Sequence, residues 1–304
     1  MSSQTQQAAV AALGSARPGE RPSSSSPELR GQILQRRRRV AGIRRSLIVG
    51  VVTLVLLVPI LVVLWLSLRP RLYSNIPGPT LSNYSYIFGH TQVLVWLGNS
   101  LLVSILATVV SVAVAAPAGY VLSRGRGRVV SAFSLLIFVV QSFPVVVFII
   151  PLFILFSAVG LVDSLGGVAI VYVASSTSVA CWMMAAYFDT IPMALEEASW
   201  IDGASLFGGF VRIVLRNSLP GILSTAIYSF LLAWNDYLVA LVFLRSDSQF
   251  TLPIGLQTFF QQNQTDWGPV MACAVVMLAP PVIVFAVLHR FFSVGGIGGS
   301  LAGR

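Results

Sequence analysis

The sequence predicts an all-α membrane protein that crosses the bilayer six times. Of its residues, 56% are hydrophobic and only 10% are charged, whereas roughly a quarter of the residues of a soluble domain carry charge. The hydrophobic residues also gather into runs of about 20 or more, the length that a helix needs to cross the hydrocarbon. These two observations exclude a soluble globular domain.

Six runs satisfy the length requirement, and each predicts one spanning helix. They are residues 46–68, 99–123, 129–156, 167–187, 219–243 and 267–292. Prolines occur inside several of them, where each removes a backbone donor and bends the helix. Such bends are compatible with a purely shape-setting role or with a gating hinge.

The residues before the first run differ sharply in composition. Residues 1–45 are rich in Ser, Gln, Pro and Arg, and so little apolar surface predicts a disordered basic tail. The remaining residues, 46–304, form one transmembrane domain.

Basic residues predict the orientation of the chain. The net charge is +9, and nine arginines precede the first run. Because arginines beside a span favour the cytoplasmic side, the tail and the link containing Arg124, Arg126 and Arg128 are placed inside. With six spans, both termini and the segment at about 188–217 are then cytoplasmic, and 69–98 is external. The tail has no aromatic residues for base stacking, which disfavours nucleic acid as a partner; contact with anionic lipid remains compatible with it.

Several kinds of chemistry are excluded by residue type. All 19 Lys+Arg residues are arginine, so the chain lacks the lysine of a nucleotide-binding P-loop and the amine of a Schiff base. Cys181 and Cys273 lie in apolar runs and give no metal-site spacing. We therefore expect no metal site, no cofactor and no enzymatic activity in this chain.

One segment gathers acids in an otherwise apolar chain: PMALEEASWIDGAS, residues 192–205, with Glu196, Glu197 and Asp202. Pro192 suits the first turn of a helix, and Gly203 permits a positive φ at its end. A second, amphipathic helix is expected from Ala204 to about Arg216. An apolar face with exposed acids predicts docking onto a protein, since anionic headgroups would repel the acids; a solvated connector is the alternative.

These residues resemble a known family. Glu197-Ala198-Ser199, Asp202-Gly203-Ala204-Ser205, Phe210, Arg212-Ile213 and Leu215 resemble the EAA signature of permease subunits of ABC importers, in particular the maltose-permease-like subgroup for carbohydrate uptake. Thr80 to Tyr84, Asn99-Ser100 and Trp234 to Tyr237 extend the similarity. The chain departs from the pattern at Arg216, where the family usually has proline.

The resemblance implies a type I importer permease of the bacterial inner membrane, working by alternating access. The acidic segment would be the coupling helix that seats in a cleft of a cytoplasmic ATPase, with Glu197 paired to a basic residue there. The implied coupling residues are Glu196, Glu197, Ala198, Asp202, Gly203, Ala204 and Arg212. The implied partners are a second homologous permease, two ATPases that bind ATP and Mg, an extracytoplasmic solute-binding protein and membrane lipid.

The solute pathway is expected where polar residues interrupt the spans. An Asp at the centre of a membrane helix costs about 2.5–3.5 kcal/mol, so Asp236 is expected to face a cavity or another helix. We predict a pathway lined by Trp234, Asn235, Asp236, Tyr237, Gln141, Ser176 and Thr177; an interhelical hydrogen bond of Asp236 and close helix packing by the hydroxyls are the alternatives. The solute is expected to be a sugar or oligosaccharide. A non-sugar solute such as glycerol phosphate or a polyamine is the alternative, and a lipid enzyme using the three acids is a weaker one.

Overall fold

The computed structural model describes residues 27–71, 78–260 and 265–292. Helices occupy most of these ranges, and no strand occurs within them. The chain divides into two compact units, residues 1–61 and 62–304. The all-α prediction is confirmed.

The first unit contains most of helix α1, Pro27–Ser67. Its portion Arg44–Ser67 is long and apolar enough to span a membrane, as predicted for residues 46–68. The helix starts at Pro27, however, so the expectation of a disordered tail is corrected for residues 27–45. Proline is favoured in a first turn, and the Glu, Leu, Gln and Arg residues that follow are good helix formers. Residues 1–26 of the predicted tail lie outside the described residues.

The second unit begins with a short helix and contains three uninterrupted spans. Helix α2 covers Ser82–His90, and α3 covers Val93–Arg124. Helix α6, Leu165–Phe188, and α13, Trp267–Phe292, correspond to the predicted fourth and sixth spans. Within the described ranges, four helices are long and apolar enough to cross a membrane, and two bent pairs raise the number to as many as six.

The predicted third span is not one helix. It consists of α4, Arg128–Ser142, and α5, Val145–Ala158, which meet at an angle of 92°. Pro144 at the start of α5 has no N–H to continue the helix, and the Ser142 hydroxyl donates to the carbonyl of Phe138 at 2.8 Å. The prediction of a continuous helix over 129–156 is therefore corrected.

The acidic segment and the fifth span follow α6. Helix α7 covers Met193–Ile201, and a second helical stretch comprises α8, Leu206–Gly209, a π-helical turn, Phe210–Val214, and α9, Leu215–Asn217. The fifth span is α10, Leu219–Trp234, bent by 75° from the stretch before it. The predicted span at 219–243 is interrupted at residues 235–237 and resumes as α11, Leu238–Phe243.

Small residues allow α3 and α6 to pack closely along their length. Ser104, Ala107, Ser111, Ala115 and Gly119 of α3 are all buried. A Cβ on Gly119 would lie 2.7 Å from the Cβ of Met184 and 3.0 Å from the backbone nitrogen of Ala185. Small residues at such spacing let membrane helices approach closely, and the hydroxyls of Ser111 and Ser176 lie 2.6 Å apart between the two helices.

The end of the bundle that is predicted to be external is joined by polar side chains. The Asn83 amide donates to the carbonyls of Ser67 and Arg69 at 2.8 and 2.7 Å. The Asn99 amide donates to the carbonyls of Ser248 and Phe250. Thus residues of the two short motifs around Asn83 and Asn99 fix the loops at this end, including the loop before α12, Leu252–Gln257.

Asp163 makes a further connection at the same end. It has a φ of 58°, and its carboxylate accepts hydrogen bonds from the hydroxyl of Ser246 and from the backbone N–H groups of Arg245 and Ser246. Burial alone would raise the pKa of Asp163, but the hydrogen bonds from Ser246 and Arg245 and the charge of Arg245 outweigh it and hold the pKa below its ordinary value.

Candidate functional site

Residues 188–217 comprise the acidic stretch 192–205 and its flanking residues, and the name acidic segment is used for all of them from this point. They fold as two short helices joined by a tight turn. Helix α7 starts after Pro192 and ends at Ile201, and Gly203 takes a φ of 87°. The N–H of Ala204 donates to the carbonyl of Ser199 at 2.9 Å. The Ser205 hydroxyl then accepts from the N–H of Gly208 at 3.1 Å and caps α8. The predicted helix, glycine turn and second helix are confirmed.

One face of this segment is exposed and combines acids with apolar side chains. Glu197, Ala198, Asp202 and Gly203 are exposed, and Ala204 is half-buried. Next to them, Ile201 is 86% exposed and Phe207 is 74% exposed. Large apolar side chains that stand in a group on a surface indicate an interaction site. We call these residues, with Leu206, the docking face.

Glu196 does not belong to the docking face. Its side chain is fully buried. Its Oε1 accepts from Nε of Arg124 at 2.8 Å and lies 2.8 Å from Nη2 of the same guanidinium as an ion pair. Its Oε2 accepts from the Tyr120 hydroxyl at 2.7 Å. The expectation that all three acids face water is corrected for Glu196, because α7 turns this residue towards the end of α3.

Arg124 is a residue of this site that sequence reasoning missed. Its charge indicates only orientation in the sequence, and nothing in the local sequence pairs it with an acid 72 positions later. Its guanidinium also donates to the carbonyl of Ile191 at 2.9 Å. Beside it, the Ser123 hydroxyl donates to Asp189 at 2.6 Å, so the last turn of α3 holds the chain on both sides of the start of α7.

Arg212 and Arg216 lie on the second half of the segment. Both are exposed, and neither takes part in an ion pair within the part of the chain that the structure describes. At the position where the family usually has proline, Arg216 continues the helix to Asn217, and the break follows at Ser218. The bend before the fifth span is therefore kept.

The structure contains a cavity of about 690 Å³ between α4, α5, α6 and α10. Its polar lining residues are Gln141, Tyr172, Ser175, Ser178, Tyr228 and Asp236; the rest of the lining is mainly apolar. Of the residues predicted for the solute pathway, Gln141 and Asp236 thus share one cavity. None of the described residues lining it is basic.

Asp236 has a structural role at the edge of this cavity. Its Oδ1 accepts from the Tyr172 hydroxyl at 2.8 Å and from the N–H groups of Val239 and Ala240 at 3.0 and 3.3 Å. The carboxylate therefore caps α11 and ties the fifth span to α6. The alternative of an interhelical hydrogen bond is observed, alongside a place in the cavity wall.

The other predicted pathway residues do not line the cavity. Trp234 is buried, stacks on Phe230 and donates its Nε1–H to the carbonyl of Met277 at 3.2 Å. Ser176 is buried against Ser111. The Thr177 hydroxyl donates to a carbonyl of its own helix, and the exposed Asn235 amide donates to the carbonyl of Leu231. The half-buried Tyr237 packs against the apolar core. Of these side chains, Trp234, Ser176 and Tyr237 thus contact neighbouring helices or the core.

No group of three or more His, Cys, Asp or Glu side chains among the described residues is placed to hold an ion. The acids of the docking face lie beside apolar residues, an arrangement suited to protein contact.

The fold is that of a polytopic helical membrane protein. Residues 115–294 match the family model described as "Binding-protein-dependent transport system inner membrane component". The chain belongs to this family.

Known proteins agree with this assignment. The chain is 35% identical over 240 residues to the inner membrane ABC transporter permease protein YcjP of Escherichia coli, covering 78% of this chain and 85% of that protein. It is 31% identical to the trehalose transport system permease protein SugB of Mycobacterium tuberculosis, covering 81% and 93%. Among solved structures, a chain of a bacterial ABC transporter involved in the import of the acidic polysaccharide alginate matches with a TM-score of 0.69 at 22% identity, covering 84% of this chain and 98% of that one.

Proposed function

We propose that this chain is the permease subunit of an ATP-driven importer for a sugar or oligosaccharide. The observation that carries the proposal is the docking face: Glu197 and Asp202 stand exposed beside Ile201, Leu206 and Phe207 on a segment that contains the family signature. An exposed apolar surface with charged neighbours is suited to a protein partner. The partner proposed here is the ATPase.

The chain itself supplies no nucleotide chemistry. It contains no lysine for a P-loop. In the proposed assembly, ATP and Mg bind to the two partner ATPases and this subunit has a non-catalytic role. A second, homologous permease completes the pathway, and an extracytoplasmic binding protein delivers the solute. Both termini lie in the cytoplasm, in agreement with the arginines of the tail and of the link at 124–128.

The mechanism follows from how the docking face is joined to the spans. When ATP closes the ATPases, they carry the docking face with them, and the bundle changes from inward-facing to outward-facing. Gly203 keeps α7 and α8 at a sharp angle, and a Cβ there would have no neighbour within 4 Å. Larger residues at this position would therefore protrude towards the partner.

Two observations support a sugar as the solute. The related protein SugB is named as a trehalose permease, and another relative, MdxG of Bacillus subtilis, as a maltodextrin permease. The cavity combines hydroxyl, amide and apolar groups with one carboxylate, Asp236, and no basic residue among its described lining, which disfavours an anion such as glycerol phosphate. The Asp236 carboxylate already accepts from Tyr172 and two backbone N–H groups. Sugars present hydroxyls and apolar ring faces that such a lining can contact.

The docking face is tested by co-purification of the tagged permease with its ATPase. We expect Glu197→Arg with Gly203→Arg to lose the ATPase, because the change reverses charge and adds bulk on the face. Gly208→Ala is the matched control, since it changes a glycine of the same segment whose added Cβ meets only side-chain atoms at 3.2 Å or more. Retention of the ATPase and of full transport by the double variant would contradict the proposal.

The solute is tested by uptake in cells that lack other importers for the sugars offered. Filling the cavity with Ser175→Phe should reduce uptake while the ATPase still co-purifies, and Ser175→Ala, which keeps the space open, should retain uptake. If neutral sugars are not taken up but a polyamine or a phosphorylated solute is, the sugar assignment fails and the permease assignment stands.

A further inference from the structure

Glu196 and Glu197 are neighbours in sequence but occupy opposite environments. Glu197 is exposed on the docking face, whereas Glu196 is fully buried. Only Glu197 can reach a partner protein without unfolding α7. The contacts of the Glu196 carboxylate therefore lie inside the chain.

The buried carboxylate is satisfied entirely by the last turn of α3. Arg124 donates from Nε to Oε1 and pairs with it through Nη2, and Tyr120 donates its hydroxyl to Oε2. We call these three residues the Arg124 cluster. The side chain of Arg124 is only 15% exposed, so solvent screens the pair weakly.

The Arg124 cluster contacts both halves of the acidic segment. The Tyr120 ring lies 4.7 Å from the ring of Phe210, in the π-helical turn, and 6.2 Å from that of Phe188, at the end of α6. The same residue thus donates to α7 and packs against the stretch that follows it. These contacts fix both short helices to one spanning helix.

Arginine geometry makes this attachment directional. The planar guanidinium presents its donors in a fixed fork, and here they are divided between Glu196, the carbonyl of Ile191 at 2.9 Å and the Ser123 hydroxyl at 3.2 Å. An apolar contact would allow α7 to rotate or slide, whereas these bonds define one orientation.

We propose that Arg124 is the positioning residue that makes α7 and the cytoplasmic end of α3 move as one rigid body during transport. The proposal rests on the function proposed above, in which the ATPase displaces the docking face. Because α3 packs along α6, the displacement reaches the centre of the bundle through the Arg124 cluster. Glu197 receives the force, and Glu196 passes it on.

The test measures the distance between spin labels on α7 and α3 in the assembled importer. Cys181 and Cys273 are buried, so cysteines introduced at Leu195 and Val121, which are 47% exposed each, can be labelled selectively. We expect the same narrow distance distribution without nucleotide and with ATP trapped. In the Arg124→Gln variant the distribution should broaden and differ between the two states.

Transport supplies the second readout. In proteoliposomes, Arg124→Gln should lower the solute imported per ATP hydrolysed by about tenfold, within the usual range of allosteric coupling, while the ATPase still co-purifies. If the single variant does not assemble, Arg124→Met with Glu196→Leu removes both charges and leaves neither unpaired; the same broadening is expected. A label distance that changes between states in the native chain, or remains narrow and constant in these variants, overturns the proposal.

Failure of this proposal can be separated from failure of the docking face. Loss of the ATPase on Glu197→Arg reports docking alone, and the α7 to α3 distance reports the Arg124 cluster alone. If Glu197→Arg still co-purifies with the ATPase, and the label distance in the native chain stays constant, only the docking face is refuted.

Discussion

The opposite placement of two adjacent glutamates gives a quantitative prediction for stability. Glu196→Ala removes the carboxylate from a buried ion pair, leaving the Arg124 guanidinium and the Tyr120 hydroxyl without their main acceptor. Breaking such a pair typically costs about 3–5 kcal/mol. Because Arg124 keeps the carbonyl of Ile191 and is 15% exposed, we expect the lower end, about 3 kcal/mol.

Thermal unfolding of the purified permease in detergent measures this cost. For a domain of this size each kcal/mol shifts the melting temperature by about 2–4 °C, so Glu196→Ala should melt about 6–12 °C below the native chain. Glu197→Ala is the matched control and should change stability by less than about 0.5 kcal/mol, because its side chain is exposed.

Replacing both Arg124 and Glu196 separates the effect of the ion pair on stability from the effect of lost side-chain volume. Arg124→Met with Glu196→Leu leaves no buried charge unpaired, and apolar replacements of buried pairs are often neutral. The double variant should therefore melt close to the native chain. Equal melting temperatures for Glu196→Ala and Glu197→Ala would refute the burial of the ion pair and the reasoning built on it.

Three other substitutions test the packing described above. Gly119→Ala should destabilise the chain by about 1–3 kcal/mol because α3 and α6 must separate. The control is Gly98→Ala on the same helix, whose added Cβ meets no atom within 4 Å and should stabilise the chain by up to about 1 kcal/mol. Melting temperatures measure both effects, and equal shifts would contradict the close packing. Asp163→Asn should lower the free energy of unfolding by about 1 kcal/mol at neutral pH. Since the folded chain lowers the pKa of Asp163, this difference in stability should vanish as the pH falls through that lowered pKa. A difference that persists in acid would show that the Asp163 carboxylate is not its cause. Asp236→Asn should retain expression and uptake within about twofold because Asn also caps helices, while Asp236→Leu should lose both; a large loss of uptake by well-expressed Asp236→Asn would instead show that transport needs the charge.

Composition, periodicity and the acidic segment determined the class of this protein. Apolar runs of bilayer length require helices, because backbone groups in lipid must be satisfied within the segment. For the same reason residues 99–123, 167–187 and 267–292 coincide with continuous helices. The turn at Gly203 was also predictable, since a positive φ is a local property of glycine.

Only the tertiary structure decided which polar residues are buried against a partner helix and which are exposed. Glu196 and Glu197 have the same chemistry and adjacent positions, yet α7 turns one onto Arg124 and the other to the surface. Similarly, Trp234 is held by the carbonyl of Met277 and Asp236 by Tyr172, partners that lie 43 and 64 residues away. A sequence records the residue types and their spacing, but the partner of a buried polar group depends on which distant helices meet.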